Sequence, residues 1–147
     1  MRMTAEEMAR AYGGAAEWDA WAFGSDPDGL AALVLSGRKQ ATSSAWPLYA
    51  PEGEALPREG EYSVILNSRD EAVCMIRTTR VRVVPFSRVD ARHARLEGEG
   101  DLSLNAWRRA HRRFFSEEMA KAGLTFDESM PVVCEEFEVV YPEQGAL

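Results

Sequence analysis

The sequence is poor in the residues that staple or anchor a chain. Its two cysteines, Cys74 and Cys134 among 147 residues, are too few and too far apart for a disulfide framework or a CxxC motif. Both sit inside apolar strand-like runs, where a cysteine usually serves as a small buried hydrophobe. Two histidines and two separated cysteines form no ligand set, so neither a metal nor a cofactor is expected. No apolar run approaches the ~20 residues of a membrane span. The segment Met1-Arg2-Met3-Thr4-Ala5-Glu6-Glu7 lacks the apolar core of a signal peptide. The expectation is a cytoplasmic protein with no membrane partner. No repeat or low-complexity segment is visible. Positive charge is also scarce: 17 Lys and Arg stand against 24 Asp and Glu, a net charge of −7. Such a chain is no broad non-specific binder of nucleic acid. Any contact with one needs a local basic patch or a small enclosed site.

What is present suits one domain over residues 1–147, long enough to bury roughly 70% of its unfolded surface. Thr4 and Glu7 form a capping-box pattern, so a helix is expected from Ala5, closing at Gly13-Gly14. Trp18, Trp21 and Phe23 follow, read as core, as a packing collar or as the lining of a ligand cleft. Asp26-Pro27 starts a second helix with Leu30, Ala31, Val34 and Leu35 on its apolar face and Gly37 past its end. A strand-like segment begins soon after. Residues 45–58, with Pro47, Pro51, Gly53 and Pro57, read as an irregular loop. Strands are expected at 61–66 and 72–84 around an Asn67–Asp70 turn. A short helix is expected from Pro85 through Ala94, and a long one from Leu104 to Ala122, capped by Ser103 or Asp101. Leu104, Trp107, His111, Phe114 or Phe115, and Met119 recur along it at helical spacing. A last strand covers 132–141, and the tail from Pro142 reads as frayed. This order gives an α+β class with a small mixed or antiparallel sheet curled around a core.

The stretch Ser36-Gly37-Arg38-Lys39-Gln40-Ala41-Thr42-Ser43-Ser44 holds more chemistry than a corner needs. Lys39 offers a compact charge with three donors. Desolvated, it can act as a base; left cationic, it holds a phosphate or an oxyanion. The alternative is a solvated lysine at a helix end. Thr42 is a candidate nucleophile or donor, and Ser43 and Ser44 are further polar contacts. Glu97-Gly98-Glu99-Gly100-Asp101 spaces three acids by glycines. That spacing does not match a calcium loop. One acid is expected to partner Lys39; the remaining reading is a solvated loop. Trp107 and His111 stand four apart on the long helix and share a face. Trp21, Trp46 and Trp107 are candidates to stack on a base. Arg108, Arg109, Arg112 and Arg113 make a basic stripe, read as a solvated helix face in preference to a phosphate contact.

Gly37-Arg38-Lys39-Gln40-Ala41-Thr42 resembles the G-x-K-x-x-T signature of the ASCH family. Trp21-Ala22-Phe23-Gly24, the 97–101 acid run, Ser103 to Trp107-Arg108 with His111, and Met130-Pro131-Val132-Val133-Cys134-Glu135 resemble the family in the same order, spanning about residues 20–141. The resemblance implies a PUA-like β-barrel with flanking helices and a link to RNA. It further implies binding of RNA, a nucleotide or a modified nucleoside in a cleft, with or without hydrolysis, since some members look like ribonucleases and some small ones are amidohydrolases acting on acetylated cytidine. In those small relatives the signature Lys and Thr and a later Glu form the catalytic set. Here these match Lys39, Thr42 and Glu97, the last preferred over Glu99 because it stands four residues after His93. Trp21, Ser43, Ser44, Glu99, Asp101, Trp107 and His111 are the expected ligand contacts.

Overall fold

A computed structural model describes residues 2–143. The chain forms two compact units, one from residues 2–40, 58–80 and 137–143, the other from 41–57 and 81–136. Of the expected frayed tail, residues 144–147 lie outside the described residues.

In the first unit, α1 (Ala5–Tyr12) starts on a reciprocal capping box. Glu7 N donates to Thr4 Oγ1 at 3.1 Å and Thr4 N to Glu7 Oε1 at 3.0 Å. Gly13, at φ 73°, ends it in the left-handed conformation that glycine adopts without steric cost. Its Met8 and Ala9 bury against Val64 and Met75. The second helix, α2 (Pro27–Leu35), is capped by Asp26, whose Oδ1 accepts from Gly29 N at 3.1 Å. Leu30, Ala31 and Val34 pack on Ile65, Cys74 and Ile76. No strand is expected at Trp21 from the sequence. The structure puts β1 (Asp19–Ala22) there, parallel to β3 (Tyr62–Leu66), with Trp21 opposite Ile65. Four residues are too few to show alternation, and a parallel partner more than forty residues away leaves no local trace. β3 pairs antiparallel with β4 (Ala72–Pro85) across the expected turn.

In the second unit, β2 (Ala41–Ala45) pairs antiparallel with β5 (Pro131–Tyr141): Thr42 faces Glu135, Ser43 faces Cys134 and Ser44 faces Val133. The expected helix from Pro85 is split. A 3-10 turn covers Phe86–Arg88, Val89 is extended, and Asp90 caps a separate α3 (Ala91–Glu97) through His93 N at 2.9 Å. The Asp90 cap competes with helix continuation and resets the chain direction. Gly98 ends α3 at φ 71°. Ser103 caps α4 (Leu104–Lys121), which buries Trp107, Phe115 and Met119 and leaves Phe114 outside. Phe86 is the hub of this core, with ring centroids 5.3 Å from Trp107, 6.3 Å from Phe115 and 5.0 Å from Phe126.

Strand order is β1-β3-β4-β5-β2, a mixed sheet, and β4 and β5 each give residues to both units. Cys74 and Cys134 are free and buried, and burial pushes each thiol up to about 12. Such thiols are not nucleophiles near neutral pH. Among the described residues no helix is long and apolar enough to cross a membrane.

Candidate functional site

The second unit contains a buried carboxylate with donors arriving from three elements. Glu97, the last residue of α3, is 2% exposed. Its Oε2 accepts from Ser43 Oγ of β2, lies 3.0 Å from His93 Nε2 one turn back on α3, and accepts from Trp107 Nε1 of α4 at 2.7 Å. On its other side His111 Nε2 lies 3.5 Å from Oε1. Sequence spacing explains the convergence. His93 and Glu97 are i,i+4 on one helix and Trp107 and His111 are i,i+4 on the next, so each pair shares a face. Ser43 joins because strand side chains alternate. It points to the same side as buried Ala41 and Ala45, while Thr42 and Ser44 take the other side. Ser44 Oγ is 2.6 Å from Tyr49 Oη. The three hydroxyls of Thr42-Ser43-Ser44 are therefore not one cradle.

The geometry decides what the cluster can do. Ser43 Oγ is 2.7 Å from His93 Nε2, the same nitrogen that meets Glu97. In a nucleophile–base–acid relay the carboxylate and the hydroxyl use opposite ring nitrogens. Here they share one, so His93 is not oriented to activate Ser43 as a nucleophile. His93 Nδ1 is buried and, among the described residues, has no hydrogen-bond partner. An N–H at Nδ1 would be an unsatisfied donor in a fully buried ring, so Nε2 is the nitrogen that carries hydrogen toward Ser43 and Glu97.

His111 differs. Its Nδ1 is 3.0 Å from Trp107 O and its Nε2 faces Glu97, so both nitrogens face acceptors. Burial works to lower its pKa, but the hydrogen bond and charge of Glu97, the Trp107 carbonyl and the charge of Glu99 together carry it above 6.5. A group whose folded pKa is raised stabilises the fold fully below its unfolded pKa. That contribution is lost as pH rises through the folded value. Thermal melts should therefore show stability falling as pH rises from about 6.5 through the raised value. Glu97→Gln should flatten that slope; an unchanged slope in the variant would assign the titration elsewhere.

The three acids of the 97–101 run part company. Glu97 turns inward, whereas Glu99 and Asp101 are exposed, and Asp101 accepts from Ser103 N at 2.9 Å. Gly98 in its left-handed conformation divides the run. The oxygens of Glu97 are met by N–H and O–H donors, and no trio of His, Cys, Asp or Glu is arranged for a metal among the described residues. Trp107 is not open to a base either: His111 stacks on it at 4.3 Å and 14°, and Phe86 packs against it at 5.3 Å. Of the three candidate stacking tryptophans, Trp46 is the exposed one, at 47%.

In the first unit, Lys39 is 2% exposed. Its backbone N donates to Leu33 O at 3.0 Å, and its Nζ sits 5.4 Å over the Phe23 ring. Trp21 meets the same Phe23 edge-on at 4.9 Å. The solvated-lysine alternative is thereby excluded. Lysine is almost never this buried without compensation.

A model of the ASCH domain matches residues 19–141. The chain belongs to the ASCH domain family. A crystal structure of an ASCH domain from Lactobacillus crispatus JV V101 is 33% identical, covers 93% of this chain and 94% of that chain, and superposes with a TM-score of 0.86. A crystal structure of a protein from Enterococcus faecalis V583 is 40% identical over 82% of this chain and 75% of that one, with a TM-score of 0.75. No curated protein matches. The α+β PUA-like fold expected from the sequence stands.

Within this ASCH domain, His93 joins the Glu97 network, although residue type and position alone single out only Glu97 of the pair. The signal was there: His-x-x-x-Glu at i,i+4 before a helix-ending glycine puts both side chains on one face. The arginine stripe is largely engaged. Arg112 Nη2 pairs with Glu128 at 2.7 Å, Arg113 Nε with Glu117 at 3.5 Å, and Arg108 Nη2 donates to Ser87 O at 3.2 Å.

Proposed function

We propose that this ASCH domain binds RNA, a nucleotide or a modified nucleoside, and that the Glu97 network is where its chemistry is centred. The observation that carries this is the buried carboxylate surrounded by Ser43, His93, Trp107 and His111. Burying a charge is costly unless it is paired and hydrogen-bonded, and the same volume filled with apolar groups would often be no less stable. The family link to RNA supports the ligand class. His111 is partly exposed and stacked on Trp107, whereas His93, Glu97 and Trp107 are buried. Its nitrogens are committed to acceptors, which suits orienting a ligand by charge rather than direct attack.

Hydrolysis is the second reading, and the burial of Lys39 favours it. The resemblance gives Lys39 the role of base or charge stabiliser, Thr42 that of nucleophile or donor, and a Glu that of proton carrier. The donor set around Glu97 supports choosing it over Glu99, and the placement of Thr42 on the other face of β2 favours a donor role for Thr42 over one coupled directly to Glu97.

The test incubates the wild type and Lys39→Ala with an RNA panel and with N4-acetylcytidine, with and without divalent metal. Turnover by the wild type that disappears in the variant supports hydrolysis. Binding without turnover leaves a recognition module. Absence of both overturns the proposal. For the binding arm, Trp46→Ala should weaken single-stranded RNA affinity by roughly 1–3 kcal/mol, the value of one base stacked on an aromatic ring. An unchanged Kd in filter binding would remove Trp46 from the interface.

A further inference from the structure

Arg82 stands apart from the other arginines of the second unit. It is half-buried, and its Nε is buried without a hydrogen-bond partner among the described residues. Nor does its guanidinium enter an ion pair among them. The other arginines of this unit are exposed or, like Arg108, hold an acceptor. Strand alternation puts Arg82 on the side of β4 that carries Val84, which packs on the core with Ala45, Trp107 and Cys134. Ser43, opposite Cys134, reaches Glu97 from that same side of the sheet. The charge of Arg82 is felt at two groups there. Burial pushes the Cys134 thiol up, and Arg82 works against it. The His93 N–H holds the Asp90 carboxyl below its usual range, and Arg82 adds to that.

The carboxylates around Arg82 are committed elsewhere. Asp90 caps α3 through His93 N, Glu136 takes both terminal nitrogens of Arg92 at 2.7 and 3.1 Å, and Glu97 accepts from Ser43 and Trp107. In a chain with a net charge of −7, a carboxylate would be the easy partner for a cation. A desolvated guanidinium without an acceptor is costly, and it is satisfied once a ligand supplies one. We infer that Arg82 is the phosphate contact of the ligand site centred on Glu97, its planar fork taking the oxygens of a phosphodiester. The inference rests on the RNA reading above and names the residue that holds the RNA backbone.

The test follows a labelled single-stranded RNA by fluorescence anisotropy across a potassium chloride series, with inorganic phosphate titrated calorimetrically in parallel, all on the full chain. Arg82→Met removes the charge and retains the apolar stem. It should weaken RNA binding roughly tenfold, as for one charged hydrogen bond. It should also flatten the slope of log affinity against log salt by about 0.7, the share of one phosphate on a single strand. Arg113→Met removes the same charge from an exposed arginine paired with Glu117 and should change affinity less than about twofold. Because no fold partner is lost, Arg82→Met should melt within about 2 °C of wild type. Three results overturn the inference and leave the RNA reading standing: unchanged RNA affinity in Arg82→Met, an equal loss in Arg113→Met, or a larger fall in melting temperature, which would make Arg82 a structural cation. If no RNA binds, that reading falls and inorganic phosphate decides for Arg82. Phosphate binding that is lost in Arg82→Met supports the anion site, and no phosphate binding by the wild type overturns it.

Discussion

Glu97→Ala should lower stability by about 3–5 kcal/mol, the range for removing one partner of a buried charged pair. At about 2–4 °C per kcal/mol for a chain of this size, the melting temperature should fall on the order of 10 °C. The reason lies in what is left behind. The Trp107 indole N–H, the Ser43 hydroxyl and the His93 and His111 imidazoles would lose their common acceptor inside a packed unit. An orphaned buried donor costs more than the hydrogen bond gained in making it. Glu97→Gln separates charge from shape. One oxygen still accepts, but the new NH₂ must face a donor, so the loss should be smaller and the His111 titration should move toward its ordinary value. A melt showing Glu97→Ala within about 1 kcal/mol of wild type, below the usual span for such deletions, would mean the carboxylate is not the hub of this unit.

Phe86→Ala should cost about 3–5 kcal/mol, the usual result of deleting a fully buried aromatic. Phe86 is 0% exposed, touches three aromatic rings, and carries the Arg112 guanidinium 5.7 Å from its centroid. Its position gives the substitution a second consequence. Trp107 lies between Phe86 and His111, so losing Phe86 frees the indole that donates to Glu97. The prediction is therefore double: a cavity-sized loss in urea denaturation and a lowered His111 pKa by NMR titration. Phe86→Leu should recover most of the stability. A stability loss with an unmoved His111 would show that the aromatic packing and the carboxylate network are independent.

Legibility in the sequence followed the range of the interaction involved. Helices α1, α2 and α4 announce themselves because their caps are local: Thr4 with Glu7, Asp26 with Pro27, Ser103 with Gly123. The i,i+4 pairs that aim His93, Glu97, Trp107 and His111 are equally local, which is why Glu97 was separable from Glu99. Strand β1 was hidden because its partner is distant in sequence and parallel. The burial of Lys39 was legible only as one of two readings: a lysine after a helix end is either desolvated or solvated, and the chain around Phe23 that covers it leaves no local trace. Periodicity places Trp107 on the inner face of α4, but it reports which face a side chain occupies, not what already covers it.

Strand β2 carries a less obvious consequence. Thr42, Ser43 and Ser44 all bear hydroxyls, so sliding the strand by one residue would still offer Glu97 a hydroxyl. Polar chemistry therefore cannot police the alignment of β2 against β5. Ala41 and Ala45 can, because they occupy the buried positions flanking Ser43, and a slip would drive Gln40 and Ser44, or Thr42 and Trp46, into positions now filled by buried alanines. The two plainest residues of the signature region act as its ruler.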